Sequence, residues 1–344
     1  MLEPTRITLA RERAGLGTMD LARVMNLDPE LIADYELHGA PDALAAPLAA
    51  ATGFLPGFFK LSPVRSIEAQ RIFFRTPRRL DGTAKASAAA LARCGVELYS
   101  LITGCFTLPD TQIPDYTGLD PQQAAARLRL DWNLGCGPIP DLLYVLESRG
   151  VRVLCGPVTL SFWEDGQGFI FLSAGQEADT RYRLAHELAH LLLHSALEEG
   201  SGCAAEREAD LFAASLLLPE LSLQLRVSSS LTLVQLLDLQ RMFGTPAAVI
   251  LDCAREAQLV DEDCYRWLRA ELALEPTGDI VRATSRVFSI VFPALRVENR
   301  MGTTRIAHQL GLGAQQLHEL TFGQAFVLLA GGGSNARTRL HAVR

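Results

Sequence analysis

The sequence predicts a multidomain chain, with an all-α block first, an α+β core in the middle and a mainly helical C-terminal region. Three observations predict it. At 344 residues the chain is longer than one hydrophobic core usually organises. Short apolar-periodic segments separated by Gly, Asn and Pro fill residues 6–60. Strand-like apolar runs occur between residues 151 and 173, and helical spacing resumes after them. The expected divisions are 1–60, 61–225 and 226–344.

The first block reads as four or five short helices. Ile7 to Gly15 forms a helix closed by glycine, and Thr18 to Met25 a second with Thr18 as its N-cap. Asn26-Leu27 turns into Asp28-Pro29-Glu30, with proline at the first helical position, and the helix runs on to Glu36. Leu48 to Phe59 closes the block. Two short helices joined by a tight turn are the helix-turn-helix pattern. Its charges argue against phosphate contact, because Asp28, Glu30 and Asp34 sit where a groove-reading helix usually carries Gln, Asn, Ser, Arg or Lys.

Residues 61–140 carry Arg65, the run Phe73-Phe74-Arg75, an alanine-rich helix from Ala84 to Tyr99 and a loop from Pro109 to Gly118. Helices are expected at 122–130 and 139–149, then strands at Val151 to Cys155, Leu160 to Trp163 and Gly168 to Ser173. After Pro219 the chain is helical again, at Leu231 to Phe243, Pro246 to Ala257 and Thr303 to Leu320, the last with its own helix-turn-helix look. Residues 277–344 read first as a packed helical accessory unit, and their eight arginines against Asp279, Glu298 and Glu319 are a better electrostatic match to phosphate than the N-terminal block. The run Gly331-Gly-Gly-Ser-Asn335 reads as a flexible tail.

Net charge is −7, which argues against non-specific nucleic-acid binding by the whole surface. The seven cysteines form no Cys-x-x-Cys pair and read as free thiols or small buried hydrophobes. No apolar run approaches the roughly 20 residues that span a bilayer, and no secretory pattern opens the chain. The expectation is a cytoplasmic protein without a membrane partner.

The chemistry concentrates at His186-Glu187-Leu188-Ala189-His190. On a helix, residues four apart share a face, so both imidazoles can reach one Zn²⁺ while Glu187 faces a water that the metal acidifies. A catalytic zinc needs a third protein ligand. The next helical segment, Ala204 to Pro219, offers Glu206, Glu208 and Asp210. Glu206 and Asp210 share a face, so one can bind metal while the other braces a ligand histidine.

Two resemblances organise these readings. Leu9-Ala-Arg-Glu-Arg, Gly15-Leu16, Leu21-Ala22, Ile32, Tyr35-Glu36, Gly39 and Pro41 resemble the lambda-repressor-like (XRE) helix-turn-helix family. Arg183-Leu-Ala-His-Glu-Leu-Ala-His-Leu-Leu-Leu-His194, with Glu206-Arg-Glu-Ala-Asp-Leu-Phe-Ala213 and Leu217-Leu218-Pro219, resembles the ImmA/IrrE zinc metallopeptidases. That resemblance implies a zincin-like fold, His186, His190 and Glu206 as zinc ligands, Glu187 as general base and Asp210 as a brace. Glu208 would point away from the metal, His194 would be a helix-end histidine, and Tyr182 or His194 would be candidates for oxyanion stabilisation. The strand Phe169 to Leu172 would take an extended substrate on a sheet edge. The implied partner is a protein substrate, a helix-turn-helix repressor, cleaved to control transcription during stress. Duplex DNA and a second copy of the chain are further candidate partners. The alternative is an XRE-type DNA-binding regulator or antitoxin-like protein with a non-catalytic zinc domain.

Overall fold

The computed structural model describes residues 1–75, 80–175, 177–194, 202–275, 283–297 and 302–326. Arg78, Arg79 and the glycine-rich run at 331–335 lie outside these described residues. The N-terminal part forms α1 (Pro4–Arg13), α2 (Thr18–Met25), α3 (Pro29–His38), α4 (Ala45–Thr52) and β1 (Phe73–Arg75). The middle forms α5 (Gly82–Thr103), α6 (Pro121–Asp131), α7 (Leu142–Ser148), β2 (Arg152–Cys155), β3 (Thr159–Glu164), β4 (Gln167–Leu172), α8 (Glu177–Leu193) and α9 (Gly202–Leu217). Seven helices follow: α10 (Glu220–Gln224), α11 (Leu233–Phe243), α12 (Ala247–Glu256), α13 (Glu262–Leu274), α14 (Arg286–Val297), α15 (Thr303–Leu310) and α16 (Ala314–Leu320). The chain is thus mostly helical with a small sheet. None of the described helices is long and apolar enough to cross a membrane.

Contacts group the described residues into two compact units, one from Met1–Pro109, Leu154–Val158 and Thr284–Arg344, the other from Asp110–Val153 and Thr159–Ala283. In the first unit, Leu21, Ala22, Ile32 and Leu48 bury the inner faces of α2, α3 and α4. The turn between α2 and α3 passes through Asn26 at φ 53°, a left-handed position that asparagine tolerates better than most residues. The N-cap of α2 is Gly17 rather than Thr18, because the Asp20 carboxylate reaches back to accept the Gly17 N–H at 3.3 Å and draws Thr18 into the first turn. Asp28 caps α3 as expected, accepting the Glu30 N–H at 2.9 Å. The 4 %-exposed Arg6 ties α1 to α5, donating to both carboxylate oxygens of Glu97 at 2.8 and 2.6 Å and to the Ser62 carbonyl.

The C-terminal helices of this unit return to the N-terminal block. Ile306, Ala307, Leu312 and Leu317 are buried, and the Leu55 N–H donates to the Gly311 carbonyl at 2.9 Å. Gly311, at φ 65° between α15 and α16, sits so close to Phe58 that a Cβ there would lie 2.5 Å from the Phe58 Cβ. Only glycine fits both the conformation and the space.

In the second unit, β3 and β4 form an antiparallel hairpin with Ser161 opposite Ile170 and Glu164 opposite Gln167. Its two-residue turn is Asp165-Gly166, both at positive φ (47° and 73°), as a mirror-image turn requires. β4 lies between β3 and β2 in the sheet. This corrects the expectation that Phe169 to Leu172 adds an extended substrate, because its backbone is paired on both sides. α8 packs across β3 and β4, α9 against α8, and α6 against α9. Gly168 permits the close approach of α8, since a Cβ on it would fall 2.7 Å from Ile113 Cδ1 and 3.1 Å from Leu191 Cδ1. A further apolar cluster joins α11, α12 and α13 through Leu236, Phe243, Ile250, Leu251 and Leu268.

Candidate metal centre

α8 buries its apolar stripe, Leu184, Leu188, Leu191 and Leu192, and the same packing carries His186, Glu187 and His190 out of water, all three at 0 % exposure. Burying unpartnered polar groups costs about 1–3 kcal/mol each, so their partners decide what this helix is for.

The partners come from α9 and β3. The Nε2 atoms of His186 and His190 stand 3.1 Å apart, and the Glu206 carboxylate lies 3.3 Å from each of them. The two ring nitrogens and the Glu206 carboxylate, which offers Oε2 to His186 and Oε1 to His190, thus form a triangle of donor groups that can hold a metal ion. Ligands about 2.0–2.1 Å from a tetrahedral zinc stand roughly 3.3–3.4 Å apart, and the 3.1 Å between the ring nitrogens and the 3.3 Å from each to a carboxylate oxygen are close to that spacing. Its electrostatics fit as well. Burial pulls the His190 pKa down to about 4, leaving a neutral ring with a lone pair. Burial alone would raise the Glu206 carboxyl. The hydrogen bonds from His186 and His190 outweigh it and hold that pKa well below the ordinary value. Two imidazoles and one carboxylate are the donor set of a catalytic zinc with an open position.

Asp210, one turn beyond Glu206 on α9, stands 2.9 Å from the Nδ1 of His186. A proton on Nδ1 leaves Nε2 unprotonated toward the triangle, the usual device that fixes a ligand histidine's tautomer. The Tyr182 hydroxyl donates to the Asp210 carbonyl at 3.1 Å and to its carboxylate at 3.3 Å, so it steadies Asp210. Glu208 stays out of the triangle and meets His194 Nε2 at 2.8 Å, while His194 Nδ1 stands 3.1 Å from His190 Nδ1. Glu187 accepts a 2.6 Å hydrogen bond from the hydroxyl of Ser161 in β3, itself fully buried. Spacing arguments miss Ser161. The only signal it leaves is one hydroxyl in an otherwise apolar strand, Leu160-Ser161-Phe162-Trp163.

This arrangement, two histidines four apart on one helix, a carboxylate from the next helix and an acid beside the first histidine, has the parts that metal-dependent hydrolysis requires. Residues 156–251 match the model of a peptidase family, the IrrE N-terminal-like domain. The matched stretch takes in β3, β4, α8 and α9 and hence every residue of the triangle. This stretch is thus similar to a metallopeptidase-family domain. No curated protein matches the chain.

Proposed function

We propose that the chain is a zinc-dependent endopeptidase that cleaves a regulatory protein, a helix-turn-helix repressor being the implied target, and so controls transcription. The observation that carries the hydrolytic part is the triangle of His186, His190 and Glu206 beside a buried Glu187. A zinc held there supplies Lewis acidity and an acidified water. Glu187 takes the proton of the attacking water on its carboxylate and returns it to the leaving amine. Ser161, through its bond to Oε2, holds that carboxylate in one orientation. Asp210 keeps the His186 proton on Nδ1, and Tyr182 keeps Asp210 in place. The regulatory target rests on the sequence resemblance.

The test is a comparison of new protein N-termini in cells carrying the native chain or Glu187→Gln. Cleavages present with the native chain and absent with the variant identify the substrate. Identical sets of termini under several stresses sink the peptidase reading.

One observation favours a second reading, an XRE-type DNA-binding regulator. The pair α15 and α16 repeats α2 and α3, with Ile306, Ala307 and Leu317 buried like Leu21, Ala22 and Ile32, and Gly311 in the left-handed turn position of Asn26. Its check is duplex binding measured against salt. A DNA reader loses affinity steeply as salt rises, and no binding to promoter fragments at low salt counts it out.

A further inference from the structure

We propose that His194 and Glu208 act together as a positioning pair for His190, a role parallel to the one Asp210 plays for His186 but relayed through a second imidazole. The inference rests on the reading that the triangle holds zinc.

Proton bookkeeping carries the argument. His190 presents Nε2 to the triangle, where its neighbours are His186 Nε2 at 3.1 Å and a Glu206 oxygen at 3.3 Å. A metal ligand needs the lone pair on that nitrogen, so the ring's single proton sits on Nδ1. Nδ1 stands 3.1 Å from the Nδ1 of His194, which must then accept. With its own Nδ1 accepting, His194 carries its proton on Nε2, and that atom lies 2.8 Å from Glu208 Oε2, an acceptor when ionised. One assignment satisfies all three contacts. The opposite assignment would place a proton on His190 Nε2, facing the metal position. Glu208 therefore fixes the tautomer of His194, and His194 fixes that of His190.

The placement supports a designed chain of contacts rather than a chance meeting. His186, His190 and His194 succeed one another at four-residue steps along one side of α8 and its end, with the last two ring centroids 5.2 Å apart. Exposure rises along the series, from 0 % for His190 to 11 % for the His194 side chain and 49 % for that of Glu208. The two ligand histidines are thus steadied by two carboxylates of one helix, Asp210 directly and Glu208 at one remove. Removing such outer partners typically weakens metal binding about 10–100-fold.

The experiment is zinc competition against a fluorescent chelator on the full chain, with Glu208→Gln, His194→Ala, His194→Gln and the double variant Glu208→Gln/His194→Ala. Glu208→Gln and His194→Ala should each weaken zinc about 10–100-fold. The double variant should be no weaker than His194→Ala alone, because partners acting in series do not add. His194→Gln, which keeps one acceptor and one donor, should recover part of the loss. Glu208 is half-exposed, so its variant folds normally, and matched thermal unfolding of the metal-free forms checks this. Unchanged zinc affinity in both single variants, or effects that simply add, overturns the proposal while leaving the zinc site standing. A wild-type chain that binds no zinc, or a His186→Ala variant that binds it equally well, overturns the site itself and the pair with it.

Discussion

The helix pairs α2–α3 and α8–α9 dispose of their polar residues in opposite ways. In the first, most charges lie on the outside and bond to near neighbours, as Asp20 does to Arg23 at 3.0 Å and Asp34 to His38 at 2.8 Å, all four side chains more than half exposed, while Glu36 turns inward to pair with Arg11 of α1. The shared interior is Leu21, Ala22 and Ile32. In the second, His186, Glu187 and His190 are wholly buried and find partners on other elements, Asp210 and Glu206 on α9 and Ser161 on β3. Exposed ion pairs contribute about 0–1 kcal/mol and can be altered with little consequence. Buried polar groups without partners cost more than that, so a fold keeps them only as a completed network. The lesson is that chemistry is found where the chain gathers several polar groups in its interior, and the inward charge of α2–α3, Glu36, is already satisfied by Arg11. Its outer surface joins acids to exposed Met19, Val24 and Leu37.

The contrast can be broken in three ways. The largest effect is expected in the triangle. His186→Ala or Glu206→Ala should lower zinc affinity by more than the ~10–100-fold expected of an outer partner, read as metal content after dialysis. A Glu206 variant that retains full zinc would move the third ligand elsewhere. Next comes the packing that brings α8 onto the hairpin. Gly168→Val forces a branched side chain into the space of Ile113 and Leu191 and should destabilise the chain by about 1–3 kcal/mol in urea unfolding. An unchanged midpoint would show that α8 can retreat. The smallest effect belongs to α2–α3, where Asp34→Asn removes the exposed contact to His38 and should shift stability by less than ~0.5 kcal/mol. A larger loss there would mean that this surface is covered in solution.

Much of this architecture is legible along the chain. The three strands ahead of α8 lie within a residue or so of where their apolar runs place them, and the two histidines and Glu187 follow from helical spacing alone. Asp165-Gly166 carries the hairpin signal in two letters. α8 begins at Glu177, and the acids of its first turn, Glu177 and Asp179, suit the helix N-terminus. Other features leave no local trace. α14 contains Pro293, which reads as a break, and its helix is held by the burial of Val287, Phe288, Val291, Phe292 and Leu295. α13 shows Trp267 and Leu274 to solvent, which blurs its apolar stripe. The Ser161–Glu187 and His194–Glu208 contacts join residues from different elements, and no spacing within either element encodes them. The return of Gly311 to Phe58 is likewise a tertiary fact.

The hairpin turn has a consequence for how the centre comes into being. Ser161, Glu187, His186, His190, Glu206 and Asp210 all fall in one unbroken stretch of chain, from the first strand of the hairpin to the middle of α9. Contacts of low sequence separation close cheaply and form early, and a two-residue turn is the shortest loop a sheet can close. The reactive cluster can therefore assemble during synthesis, before the residues beyond α9 have been made.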